Sequence, residues 1–214
     1  MTQGDSTQDY LHPYRLAVAA HGAGFAATLW GSERAQVLRF DIMIDRIDFR
    51  DAVIVDAGCG QGDFAARLLE RQVPFARLIG LDAMDPMVAE ANDRGLDRSR
   101  FETVDVVAND EAFAAHSPDW VCFSGTLNTM DDKTARALLT RAWSAARIGV
   151  AFNFLSDRPA ERWRERDLTP ARRFDTLAWI EWALALSPKV TFDQSYLDGH
   201  DATIIISRVA DESA

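Results

Sequence analysis

Between Asp51 and Ser207 the apolar residues fall into short continuous runs separated by longer stretches in which they recur at helical spacing. Val53 to Asp56, Leu78 to Asp82, Phe101 to Asp105, Trp120 to Ser124 and Val150 to Phe154 are the runs, and each reads as a strand buried on both faces. The clearest helix follows Asp131, where Ala135, Leu138, Leu139, Ala142, Trp143 and Ala146 recur at i, i+3, i+4, i+7, i+8 and i+11. Strands alternating with amphipathic helices predict an α/β fold, a parallel sheet with right-handed crossovers and helices on both faces. The last third departs from this pattern. A helix around Phe174 to Leu186 stops at Ser187-Pro188, and Val190 to Gln194, a turn at Asp198-Gly199 and Ala202 to Ser207 predict an antiparallel hairpin at the end of the sheet. Ahead of the sheet, Pro13 to about Ile47 is helical, with Val37, Phe40, Ile44 and Ile47 on one face and a small-residue interruption from Ala20 to Trp30. The first nine residues read as a frayed terminus. One domain is expected, with residues 1–47 as a helical cap over a core at 48–214.

Composition narrows the function. The chain has 214 residues, enough for one sizeable core, and its 33 acidic against 23 basic side chains give a formal net charge of −10. That charge repels a phosphate backbone and anionic lipid, so nucleic acid is disfavoured as a partner; a solvated acidic surface that maintains solubility accounts for it equally well. No run approaches the roughly 20 apolar residues of a membrane span, and Met1 to Asp9 has neither the basic nor the apolar region of a signal peptide. A cytoplasmic protein is expected. Cys59 and Cys122 have no metal or redox spacing and are read as reduced structural thiols. The pattern does not specify an oligomeric state.

Candidate chemistry begins where the first strand ends, in Asp56-Ala57-Gly58-Cys59-Gly60-Gln61-Gly62-Asp63-Phe64. A glycine-rich turn at the carboxyl edge of such a sheet is where these folds bind ligands, because glycine admits positive φ and removes the Cβ atoms that would keep a ligand from the backbone amides. Dinucleotide enzymes also place a glycine loop here, but a fingerprint beginning at Gly58 wants glycine or alanine where this chain has Asp63. A carboxylate beside a pyrophosphate is unfavourable, whereas acidic Asp56 and Asp63 suit a cationic cofactor. Asp82 ends the next strand, where it is placed to accept two hydrogen bonds from a ribose diol, and Asp105 ends the one after, placed to accept from an adenine amino group. Each alone reads more readily as a surface aspartate; three successive strands ending in aspartate make the coincidence improbable.

These residues resemble the class I S-adenosylmethionine-dependent methyltransferases over roughly Asp51 to Arg208. The resemblance implies a Rossmann-like, seven-stranded, mostly parallel sheet with S-adenosylmethionine as cofactor and S-adenosylhomocysteine as product. It implies that Asp56, Gly58 and Gly60 approach the methionine part, that Asp82 and Ala83 hold the ribose, and that Asp105 and Val106 frame the adenine. Ser124 and Gly125 would line the methyl-donating face. A narrower similarity to uncharacterised bacterial members rests on Trp30-Gly31-Ser32, Gln36, Arg39-Phe40 and the Ala151 to Ser156 run. It implies that Trp30 and Arg39 close over the cofactor, with Arg39 a candidate for the methionine carboxylate; a core or surface structural role is the alternative for each. No Asn-Pro-Pro-Tyr type sequence follows the fourth strand, where Ser124-Gly125-Thr126-Leu127-Asn128 stands instead, and no cysteine cluster for arsenic is present. A small-molecule acceptor is therefore expected.

Methyl transfer from a sulfonium is an in-line displacement that asks the protein for alignment and exclusion of water. An acceptor that must lose a proton needs a base, and the candidates are His21, His200, Tyr10, Tyr14 and Asp198. His21, in the flexible part of the cap, is taken first. Tyr14, Asn128, Asn153 and His200 are expected at the acceptor, with core or capping roles as alternatives for Asn153 and His200. A nicotinamide-dependent oxidoreductase and a non-catalytic partner subunit of the same fold are the competing readings; no metal is expected.

Overall fold

The computed structural model describes residues 9–209; the first eight residues of the expected frayed terminus lie outside it. Strands β1 (Val53–Ala57), β2 (Arg77–Asp82), β3 (Ser99–Thr103), β4 (Trp120–Phe123) and β5 (Gly149–Ser156) are parallel. Helices α3 (Asp63–Glu70), α4 (Asp85–Asp93) and α5 (Asp132–Ala145) lie between them. After β5 come the short β6 (Arg173–Phe174), α6 (Thr176–Leu186), β7 (Lys189–Asp193) and β8 (Asp201–Ser207). The order across the sheet is β3-β2-β1-β4-β5-β8-β7, with β6 paired to the end of β5. The expected α/β fold with an antiparallel C-terminal hairpin is thus observed, with β8 inserted between β5 and β7 and antiparallel to both.

Both faces of the sheet are covered, which is why the strands read as continuous apolar runs. Side chains alternate along β1: Ile54 packs into a cluster with Phe64 and Leu68 of α3, whereas Val55 and Ala57 pack into the opposite cluster with Leu138 and Leu139 of α5 and Trp179 of α6. Helix α5 begins at Asp131, whose carboxylate accepts from Thr134 N–H at 2.7 Å, and α6 begins likewise at Asp175, which accepts from Ala178 N–H at 3.0 Å.

Three regions gain detail. The N-terminal helical stretch is two helices, α1 (His12–His21) and α2 (Glu33–Arg46), with a short 3₁₀ turn at Phe25–Thr28 between them. The part before α2 lies over the ligand edge, and α2 adds Gln36 and Phe40 to the wall of one cavity there and Ala35 and Arg39 to the other. Helix α2 is part of the sheet's covering layer, with Phe40 and Met43 in the core and the rings of Phe40 and Phe64 5.3 Å apart. Strand β3 ends at Thr103 rather than Asp105, because the Asp105 carboxylate accepts from the N–H groups of Val107 and Ala108 and turns the chain there. The segment from Asp157 to Arg172, which carries no apolar period, holds a short 3₁₀ turn at Glu161–Trp163 and closes one side of the ligand edge.

Candidate functional site

Two cavities open at the carboxyl edge of the parallel strands, where the βα turns leave the sheet. The first, about 840 Å³ including its open mouth, lies over the glycine loop. Gly58 has φ +75°, and a Cβ there would stand 2.5 Å from Oγ1 of Thr126, so only glycine allows both the turn and the approach of that side chain. The Thr126 hydroxyl in turn donates to the Ala57 carbonyl at 2.6 Å, tying the loop after β4 to the loop after β1. Asp82 spans the same loop. One carboxylate oxygen accepts from Gly60 N–H and the other from Met84 N–H, both at 2.9 Å. Burial pushes its carboxyl up, against the pull of the Met84, Gly60 and Ala83 amides.

Asp56 is buried, lines this cavity, and has no hydrogen-bond or ion-pair partner among the described residues. Its carboxyl is pushed up to about 8 by burial, then by the nearby charges of Asp82 and Asp63. An unpartnered buried carboxyl beside a second carboxylate favours a ligand that donates hydrogen bonds and carries positive charge, and disfavours a phosphate. Asp63 contributes less to that preference than the sequence suggested, because Arg94 pairs with it at 2.7 Å and Gln36 donates to it at 3.1 Å. The adenine-side candidates divide: Val106 lines the cavity, whereas Asp105 stands behind it and accepts from the Tyr10 hydroxyl at 2.5 Å. Tyr10 itself reaches the cavity, its phenol held above the usual range by burial and by Asp105.

The second cavity adjoins the first. Tyr14, Thr28, Trp30 and Gly125 line both, so these four residues form the junction. The Trp30 ring lies against Gly125, where a Cβ would be 2.5 Å from Cζ2 of the indole. Tyr14 has its phenol pushed up to about 12, chiefly by burial. His200 lies in the second cavity's wall, its ring stacked on Trp163 at 4.1 Å and its Nδ1 3.1 Å from the Arg173 guanidinium. Arginine only donates, so Nδ1 accepts and the ring proton is on Nε2. Burial, with Arg173, Arg39 and Arg166, lowers this histidine to about 4 and keeps it neutral.

Of the residues singled out from sequence, Asp56, Gly58, Gly60, Asp82, Ala83, Val106, Ser124, Gly125 and Trp30 come together around the first cavity, and Tyr14, Asn128 and His200 around the second. Besides Asp105, which does not line the cavity, three assignments change. His21 is exposed in the last turn of α1 and lines neither cavity; Tyr14, in the first turn, is the residue of that helix that does. Asn153 is fully buried in β5; its carboxamide is used up in accepting from Gly125 N–H at 2.8 Å and donating to Ser124 Oγ at 3.1 Å. It therefore holds the β4 corner and does not reach a ligand. Arg39 is absent from the first cavity: its Nε pairs with buried Asp201 at 2.6 Å, its guanidinium lies 4.2 Å from the Trp30 ring, and it lines the second cavity. Sequence reasoning missed Thr126, whose role depends on a contact between loops 69 residues apart, and Trp163 and Arg166, which stand in the segment without periodicity.

Residues 54–149 match the family described as Methyltransferase domain. Over 98 residues the chain is 34% identical to trans-aconitate 2-methyltransferase of Deinococcus radiodurans, a match that takes in 46% of this chain and 35% of that protein. The chain thus spans about a third of the length of that curated relative. Among solved structures, a DhpI-SAM-HEP complex aligns with a TM-score of 0.70 at 19% identity, covering 97% of this chain and 100% of that one. The small RNA methyltransferase HEN1 aligns with a TM-score of 0.66 at 15% identity, covering 81% of this chain and 25% of that one.

Proposed function

We propose that this chain, whose residues 54–149 match a methyltransferase domain and whose fold is that of a methyltransferase, is a class I S-adenosylmethionine-dependent methyltransferase that transfers a methyl group from S-adenosylmethionine to a small-molecule nucleophile. The carrying observation is the pair of adjoining cavities, one walled by Asp56 and Asp82, the other meeting it at Tyr14, Trp30 and Gly125. S-adenosylmethionine, when bound, supplies a methyl carbon already activated by its sulfonium. The fit of the first cavity to that cofactor is supported by the unpartnered Asp56 carboxyl, which suits a cationic group, and by Asp82, whose carboxylate is aligned by two backbone amides to accept from a ribose diol.

The chain's own part is alignment. Asn153 fixes the Ser124-Gly125 corner at the junction, and Trp30 packs on that corner from the cap, so the wall past which the reacting atoms must meet is set from both sides. Tyr14 and Trp30 narrow the passage and exclude water. A small acceptor is supported by the size of the second cavity and by the net charge of −10, which opposes a nucleic-acid backbone. The D. radiodurans relative is named for a small-molecule acceptor as well. Among the described residues no helix is long and apolar enough to cross a membrane, and the reading is of a cytoplasmic enzyme.

Calorimetric titration with S-adenosylmethionine, S-adenosylhomocysteine and NAD tests the proposal. Binding of the first two and not of NAD is expected; binding of NAD alone would require the oxidoreductase reading instead.

A further inference from the structure

The Trp30 indole is a wall that the two cavities share, yet its own backbone does little to fix it. It stands on the connection between the 3₁₀ turn and α2, after Leu29 at φ +59° and before Gly31, and its N–H reaches Thr28 Oγ1 at a long 3.4 Å. What meets the ring is a side chain from α2. The central carbon of the Arg39 guanidinium lies over the indole, 4.2 Å from the ring centroid, and Arg39 is 5% exposed.

Arg39 is itself held. Its Nε donates to Oδ1 of Asp201 at 2.6 Å, and Asp201, fully buried at the start of β8, is fixed by the pairing of that strand with β5, where it stands opposite Leu155. A guanidinium is planar, so a bond made in its plane through Nε sets the direction in which its face looks. Here the face looks onto Trp30, and the C-terminal hairpin is thereby connected to the junction of the two cavities.

For stability alone the pair is a poor arrangement. Nη1 of Arg39 and Oδ2 of Asp201 are both buried without a hydrogen-bond partner, so removing two charges from water is offset by one hydrogen bond between them. An apolar pair of similar volume would serve the core as well or better. What the ion pair adds is orientation.

Resting on the methyltransferase reading, we infer that Arg39 and Asp201 are positioning residues that act through Trp30. The pair holds the indole against Gly125, which keeps the wall between the two cavities in place and the cofactor covered.

The test uses the full chain labelled with 5-fluorotryptophan, in which Trp30 gives the fluorine line that Trp30→Phe removes, and a soluble gadolinium chelate, which broadens the lines of exposed rings. Arg39→Lys keeps a charge beside Asp201 but offers no planar face, whereas Arg39→Met combined with Asp201→Val removes both charges and leaves an apolar pair. In both variants the Trp30 line should broaden more than in the unmodified chain, with the line of fully buried Trp179 unchanged. S-adenosylhomocysteine should dissociate from both about threefold or more faster, as loss of a buried cation–π contact implies. The double variant should keep or raise its denaturation midpoint, because no charge is left buried alone. A Trp30 line no broader than that of the unmodified chain, in Arg39→Lys or in the double variant, overturns the inference. So does a double variant in which slow release returns along with stability, since the pair would then act on stability alone. The ring measurement needs no ligand: failure of S-adenosylhomocysteine to bind overturns the methyltransferase reading, and the Trp30 line still decides the positioning role.

Discussion

The indole of Trp30 rests on the backbone of Gly125, so closely that a Cβ on the glycine would stand 2.5 Å from the ring. That contact joins the cap to the loop after β4 at the wall shared by the two cavities. Gly125 also has φ +76°, so Gly125→Ala would both strain the backbone and push the indole away. Displacement at a junction that aligns two reactants can cost about 100-fold in rate for roughly 1 Å. Turnover on an identified acceptor should fall on that order, with S-adenosylhomocysteine affinity changed far less. Equal losses of both would place the contact in cofactor binding instead.

Arg39 and Asp201 are a buried ion pair between α2 and the start of β8. Asp201→Asn leaves the guanidinium buried without its countercharge, a change that costs about 3–5 kcal/mol in comparable sites. Denaturant unfolding should show a loss of that order. A loss under about 1 kcal/mol would mean that water replaces the carboxylate there.

Asp56 makes stability and binding depend on pH in opposite ways. Its carboxyl is raised to about 8 in the folded chain, from about 3.9 when unfolded. The folded state therefore keeps a proton that the unfolded state releases across that window, and this group's contribution to stability declines as pH rises from about 4 to 8. A cationic ligand prefers the ionised form, so S-adenosylmethionine affinity should rise with pH up to about 8 with proton release on binding. Both trends should disappear in Asp56→Asn, as followed by thermal unfolding and by calorimetry in buffers of different ionisation enthalpy. A wild-type affinity flat from pH 6 to 8 would exclude Asp56 from contact with the cation.

His21→Ala should change neither turnover nor, beyond about 0.5 kcal/mol, stability, because the side chain is exposed and away from both cavities. A large loss of turnover would return His21 to the site.

What was legible in the sequence follows from how local each signal is. Gly58, Gly60 and Asp82 declare themselves because strand ends and positive φ demand particular residue types at fixed places, and the apolar runs fix the sheet because both of its faces are buried. Arg39 was misplaced because its partner Asp201 is 162 residues away, and nothing local distinguishes an arginine facing a ligand from one facing a buried carboxylate. Asn153 stayed open between the acceptor and a structural role for the same reason: its donor Gly125 belongs to a neighbouring strand's loop. The second cavity was the least legible. Trp163, Arg166 and His200 reach it from irregular segments, in which side-chain direction follows no period.

The central claim is that the glycine loop and Asp82 hold S-adenosylmethionine, and its most direct test is the S-adenosylhomocysteine affinity of Asp82→Ala beside that of the unmodified chain. Loss of charge-assisted bonds to the ribose should weaken binding by about 1.5–3 kcal/mol. Circular dichroism should confirm that the variant, which also frees the Gly60 and Met84 amides, stays folded. An unchanged affinity in a folded variant would contradict the account.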